Sequence, residues 1–461
     1  NRVLVATGVI TCNNQPDENE WFIEVDLTKY QAALRCNSCT RLIMTSVDEE
    51  SDACTYVTSY IQFYPLKKCR AKPKIPDVVL GVMSSKGSFP EIDDDQNQCF
   101  SKTFSLGELP TNSFKGFLDV WISGQDKELS WYRLPTPQSQ DDIESTYREG
   151  EVYLDGEIIG VVPIYPYIPP CTFPSNMWKV ISSVDVFSNV PIKIPISIFL
   201  ANLNKLEEHT FKFKISNVMG SYFNVNANLI LYTDPNRKVI KGKVVKNTLK
   251  DLTPAINDLR ISGTPFDAVV TNRAVRSYIQ EGYLEGCKDK YFIRVCGKSF
   301  FTNIQRFTLV NPSPLTFNVT RNLKSGLNLK TAVTKDCIFG KNDIKVSECD
   351  IEFGFSENIV QTLGTTGLKE EFDQTNTKKV KQCVSKHDKI VCKSTICNTV
   401  NATGEGLKNP ITGFPLDNKG LTSMQKYVCK TYKCSPCDKV KTCYDLTLKS
   451  ELENLTSVEY D

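Results

Sequence analysis

Two stretches set the pattern for the chain. Tyr147 to Gly160 reads YREGEVYLDGEIIG and Asp119 to Tyr132 reads DVWISGQDKELSWY. In both, apolar and polar positions alternate with the period of a half-buried strand, and each run is punctuated by a Gly turn. Val152, Leu154 and Ile158 are predicted to face a core. Glu149, Glu151 and Asp155 are predicted in or beside turns, where water or a ligand reaches them. A site built here is a site of acids.

The same alternation extends in both directions and predicts an all-β chain: tandem jelly-roll-like β-sandwiches with a disulfide-rich C-terminal module. Residues 1–90 are rich in Thr, Val and Tyr and read as an N-terminal β-sandwich. Gly87 to Gln98 has the composition of a linker, and residues 91–235 read as a second sandwich. Within it, Leu200 to Glu208 is predicted as one short helix. Further short strands are expected over 236–335, with Cys287 and Cys296 placed to staple a hairpin. Residues 336–461 form a module rich in Cys and Lys. Between Lys378 and Lys441 it holds thirteen Lys, no Arg and four acids, a solvated face first and an anion-binding one second.

Composition narrows the function classes. With 55 basic and 53 acidic residues there is no general field for nucleic acid or a membrane surface. No apolar run is long enough for a membrane span, since Val190 to Leu200 is broken by Lys193 and Pro195. Eighteen Cys in 461 residues point to disulfides and an oxidising compartment. The sequons at Asn318, Asn401 and Asn454 agree with a secreted, extracellular or lysosome- or vacuole-lumen protein. No cofactor and no metal are expected: the run Asp93 to Asp95 lacks a calcium-loop spacing, and the pairs Cys36 with Cys39 and Cys434 with Cys437 fit disulfides better than zinc. The two histidines, His209 and His387, leave few partners for a Ser-His or Cys-His nucleophile.

The order of these segments carries a resemblance. SGQDKELSWY, YREGEVYLDGEIIGVV, Met177-Trp178, IPISIFL, HTFKFKISNV and NVNANLILYTD, with WFIEVDLTKYQAAL before them and AVRSYIQEGYLEG and FTNIQRFTLVN after, resemble the peptide:N-glycosidase A family of acidic glycoamidases. The resemblance covers about two-thirds of the chain and implies hydrolysis of the glycosyl-Asn amide of N-glycosylated proteins or peptides without a metal. It also implies that the first strands of the N-terminal sandwich are missing, separate or lost; with no initiator Met or signal-peptide pattern, a start at Asn1 after processing or partway into a domain is expected. On the positions that match, Glu128 and Glu149 are the candidate catalytic acids and Arg148 the charge stabiliser. Trp131, Tyr132 and Trp178 would be glycan-binding faces. The plain alternative is an Arg148–Glu149 structural ion pair with the aromatics as core.

Several polar positions of the family are replaced. Val5 and Ile10 stand for an Arg and a Glu, Glu128-Leu129 for a double acid, and Trp178 to Ile181 for a Trp-Arg-Pro-Ile element. Ser188, Lys193 and Pro195 stand for acids, and PIYPYIPPC lacks a Gly-Gly. Two readings therefore stand side by side: a glycoamidase, or a non-catalytic extracellular structural or glycoprotein-binding component, self-assembling or bound to other extracellular proteins, on the same scaffold.

Overall fold

The computed structural model describes residues 27–34, 58, 60, 61, 63, 75–82, 90–93, 98–125, 128, 131–134, 145–164, 191–218, 221–251, 256–264, 267–286, 290–336, 344–364, 367–386, 389–408, 415–432, 446–451 and 454–460, with backbone alone for most of the residues after 344. The all-β expectation holds. Strands β1 (Val78–Val82), β2 (Glu91–Asp93), β4 (Ser113–Gly124), β7 (Ile192–Pro195) and β9 (Tyr222–Thr233) form one antiparallel sheet in the order β1-β9-β4-β7, with β2 also on β9. Strands β3 (Cys99–Phe104), β5 (Glu149–Leu154), β6 (Glu157–Pro163) and β8 (His209–Ile215) form a second, ordered β3-β8-β5-β6. The first strand pairs Val78 with Leu231, so the sheet crosses the boundary drawn from sequence at residue 90. Of the other described N-terminal residues, Thr28–Leu34 is helical, and Lys29 Nζ ties it to buried Asp119 Oδ2 at 2.5 Å.

The third sheet starts with β10 (Gly242–Asn247), β11 (Ile256–Thr264), β12 (Asp267–Glu285), β13 (Lys290–Pro312) and β14 (Leu315–Asp336). It continues through β15 (Ile344–Gly364), β16 (Gly367–Lys386), β17 (Lys389–Lys408), β18 (Pro415–Tyr432), β19 (Leu446–Glu451) and β20 (Asn454–Tyr460) as an antiparallel meander. The expectation of short strands after residue 235 is corrected here. The 23 residues of β13 reach about 75 Å at roughly 3.3 Å each. Burial alternates without a break along 19-residue β12, because no Pro interrupts it and its single Gly lies at Gly282. The helix predicted over Leu200 to Glu208 is also shorter, Leu200–Leu203. Asn204 ends it by turning its amide to Ser113 and Ile240 carbonyls at 2.8 and 2.9 Å.

The layers explain what alternation alone leaves open. Along β5 the residues Gly150, Val152 and Leu154 face the first sheet, so closely that a Cβ on Gly150 would collide with Ile122. One residue out of step, Glu149, Glu151 and Tyr153 face the third sheet. The second sheet is therefore covered on both sides, and β5 is buried on both. Phe104, Val152, Phe211 and Phe213 with Leu118, Val120 and Leu229 form the core between the first two layers. Phe213, stacked on Phe100 with centroids 6.4 Å apart, is 2% exposed. Phe213→Ala is expected to cost about 3–5 kcal/mol, read as a lower urea midpoint at unchanged slope.

Candidate active site

The third sheet lays a row of polar side chains on the second. On β12 the even positions point inward, and Asn272, Arg276 and Gln280 interrupt an otherwise apolar row of Ala268, Val270, Ala274, Tyr278 and Leu284. Strand register brings Asn303 opposite Asn272 and Ser299 opposite Arg276. Burying so many polar groups is tolerable only where they find partners. Gln280 donates to the Ile159 carbonyl at 3.0 Å, Asn303 to the Tyr132 carbonyl at 2.8 Å, and Gln305 to the same carbonyl at 2.9 Å. Arg321 donates to Gln305 Oε1 at 2.9 Å and to the Leu134 carbonyl at 3.1 Å.

Two ion-pair centres lie about the start of β5, and the second of them sits in this seam. In the first, Arg148 holds Glu128 with both prongs, Nε to Oε2 at 3.1 Å and Nη2 to Oε1 at 3.3 Å. Glu128 is placed by a tight turn in which its N–H donates to the Gln125 carbonyl at 2.9 Å. Gly124, the last residue of β4, leads into that turn, and a Cβ there would lie 2.7 Å from the Glu128 carbonyl carbon and closer still to its oxygen. Gly124→Ala is expected to cost about 1–3 kcal/mol, since backbone rather than a flexible side chain must move. A lower thermal midpoint checks it.

The second centre joins Glu149, Glu151 and Arg276. Arg276 Nη2 donates to Glu151 Oε1 at 2.9 Å, and its Nε lies 3.3 Å from Glu149 Oε1. That second approach is charge contact at poor hydrogen-bond geometry. Tyr153 caps Glu151, its hydroxyl donating to Oε2 at 2.6 Å. Burial pushes the Glu149 carboxyl above the usual range; Arg276 and the Ser299 and Tyr147 hydroxyls oppose this, and the Glu151 charge adds to it. Although burial works against its charge, Glu149 and Glu151 hold Arg276 above its ordinary value. Burial and then Glu149 raise the Tyr147 hydroxyl, which stays a proton donor.

The site residues read from sequence are thus distributed differently from the expectation. Arg148 serves Glu128, not its neighbour Glu149, because adjacent residues of an extended chain point to opposite sides. Glu149 and Glu151 lie on a strand and not in turns, 1% and 8% exposed, because the third sheet covers them. Only Asp155 occupies the turn expected of it, at φ 50 before Gly156, where it holds His209 Nδ1 at 2.8 Å. Trp131 and Tyr132 are buried against each other at right angles, with Trp131 5.9 Å from Phe301. Trp178 lies outside the described residues. Asn318 is the fourth residue of β14, half-buried, while Asn401 and Asn454 fall on β17 and β20. Sequence reasoning missed Arg276 and its register partner Ser299. The one signal for Arg276 is a polar residue at every second inward position between Asn272 and Gln280.

A family model described as Peptide N-acetyl-beta-D-glucosaminyl asparaginase amidase A matches residues 9–250. The chain belongs to this family. Among curated relatives, Peptide-N4-(N-acetyl-beta-glucosaminyl)asparagine amidase A of Prunus dulcis is 24% identical over 323 residues, which is 64% of this chain and 54% of that protein. The chain therefore spans about half the length of the curated relative it matches. No solved structure matches it. Glu128, Arg148, Glu149 and Glu151 fall inside the stretch matched by the amidase A model, whereas Arg276 and Ser299 fall beyond it. Among the described residues no helix is long and apolar enough to cross a membrane.

Proposed function

We propose that this amidase A family chain is a glycoamidase that hydrolyses the glycosyl-Asn amide of N-glycosylated proteins or peptides, working from the Glu149–Glu151–Arg276 centre in a secreted or lumenal setting. The observation that carries this reading is the pairing of two carboxyls on one guanidinium with unequal surroundings. Glu149 is the more buried and is biased toward its protonated form. Glu151, at 8% against 1%, is the less buried of the two and lies beside half-buried Tyr153. Two acids whose environments differ can divide proton donation and acceptance between them.

In the reaction, water adds through oxygen to the amide carbon while Glu151 accepts its proton. Arg276 offsets the charge that develops on the carbonyl oxygen. Glu149 gives its proton to the nitrogen as the C–N bond breaks, so the products are Asp and a 1-amino sugar. Proton return from Glu151 to Glu149 through water resets the pair. Glu128 and Arg148 hold the loop that leads into β5 and position the acids without touching substrate.

A second reading, a non-catalytic glycoprotein-binding or structural component, is favoured by the near-complete burial and mutual neutralisation of these groups. Incubating the purified chain with an N-glycosylated peptide across mildly acidic to neutral pH separates the two. Mass spectrometry showing Asn converted to Asp supports hydrolysis. Peptide retained by the protein but unchanged at every pH supports the second reading and rejects the first.

A further inference from the structure

The C-terminal part of the third sheet brings cysteines together by backbone register. Strand β17 carries two cysteines, Cys392 and Cys397, and each meets a cysteine on a different neighbour: Cys383 on β16 and Cys429 on β18. Cys383 and Cys392 flank a hairpin with two residues between Lys386 and Lys389. Such a hairpin closes on a pair that exchanges hydrogen bonds, and hydrogen-bonded and non-hydrogen-bonded pairs then alternate outward. Counting from Lys386 opposite Lys389, the cysteines occupy the third step, a non-hydrogen-bonded pair with Cα atoms about 4.5 Å apart. A disulfide needs roughly 4.4–6.8 Å. For Cys397 opposite Cys429, either kind of pair, at about 4.5 or 5.5 Å, lies in that range. Directly opposed residues also share a face of the sheet. Cys349 on β15 is excluded as a competitor for Cys383. It stands opposite Gln382, one residue out of step and therefore on the other face.

We propose that the chain closes two cross-strand disulfides, Cys383 to Cys392 and Cys397 to Cys429, set by the register of β16, β17 and β18. The sequence of these strands gives the bonds a purpose. GLKEEFDQTNTKKVKQCVSK on β16 offers few apolar residues for burial, and strands with little core gain most from covalent closure. In each closure two S–H bonds break and one S–S bond forms. The two electrons and two protons pass to the disulfide of an exchange partner, such as oxidised glutathione, which leaves as two thiols.

The full-length chain, equilibrated in a glutathione redox buffer, is blocked with N-ethylmaleimide under denaturing conditions, deglycosylated and digested with trypsin without reduction. Trypsin separates all four cysteines, so the bonds are read as linked peptides. Gln382–Lys386 is expected joined to Ile390–Lys393, and Ser394–Lys408 to Tyr427–Lys430. In Cys392→Ser, Cys383 is expected to become maleimide-blocked while the other link persists. Blocking of all four cysteines in the unsubstituted chain, or their linkage in any other combination, would overturn the assignment. So would migration of Cys383 to a new partner in Cys392→Ser.

Discussion

Arg276→Met is expected to destabilise the chain by about 3–5 kcal/mol at neutral pH, the cost of removing one side of a buried ion pair. The two carboxylates left behind have little access to water, Glu149 at 1% and Glu151 at 8% exposure. The pH dependence identifies the cause. Burial raises Glu149 above its unfolded value of about 4.3, so the folded state holds its proton more tightly than the unfolded state does. A group shifted this way contributes stability that is complete below the unfolded value and is lost as pH rises through the folded one. Without Arg276 the upward shift grows. The variant should therefore recover toward the parent on acidification and lose stability more steeply with rising pH. Denaturant unfolding at several pH values checks this, and a deficit that stays constant across pH would mean that packing, not charge, is what Arg276 supplies.

The second large effect is on chemistry. Glu149→Gln keeps the shape of the side chain and removes the transferable proton, and general acid catalysis supplies about 10²–10⁴-fold in rate. A loss of that size in kcat is expected, with the fold retained, because a neutral amide replaces a group that the protein already biases toward neutrality. Glu128→Gln is the informative comparison. It weakens the two-pronged contact with Arg148, so its effect should appear first in stability and only secondarily in rate. Equal rate losses from both variants, without unfolding, would place Glu128 at the reacting atoms.

Much of the architecture was legible in the alternation of side chains. Val152, Leu154 and Ile158 point into the core as their parity demanded, and Asp155-Gly156 makes the hairpin turn that its sequence announces. What parity cannot say is what covers the polar face. Glu149 and Glu151 read as solvent-facing because carboxylates on one face of a strand ordinarily meet water. Here they meet Arg276, 125 residues beyond Glu151, on a strand whose own polar positions looked equally exposed. Only the stacking of a third layer turns two separate polar rows into one buried centre. The neighbouring Arg148 was the natural partner for Glu149 in sequence and is the wrong one in space, since the strand sends adjacent side chains to opposite sides. The Cys287–Cys296 staple failed for a related reason. Cys296 stands opposite Ile279, well inside the hairpin, and its thiol is free, while Cys287 lies outside the described residues.

The family match ends at residue 250, yet the centre described here draws Arg276 and Ser299 from further along the chain. The proposed reaction therefore depends on the long third sheet as much as on the sandwich before it. The most direct test is hydrolysis of an N-glycosylated peptide in ¹⁸O-labelled water by the parent chain and by Glu149→Gln, each first shown to be folded. The parent is expected to produce Asp carrying one ¹⁸O in its side-chain carboxyl together with a 1-amino sugar, and the variant to form little of either. Unlabelled Asn still bearing a sugar, or equal labelled product from both proteins, would contradict the proposed reaction.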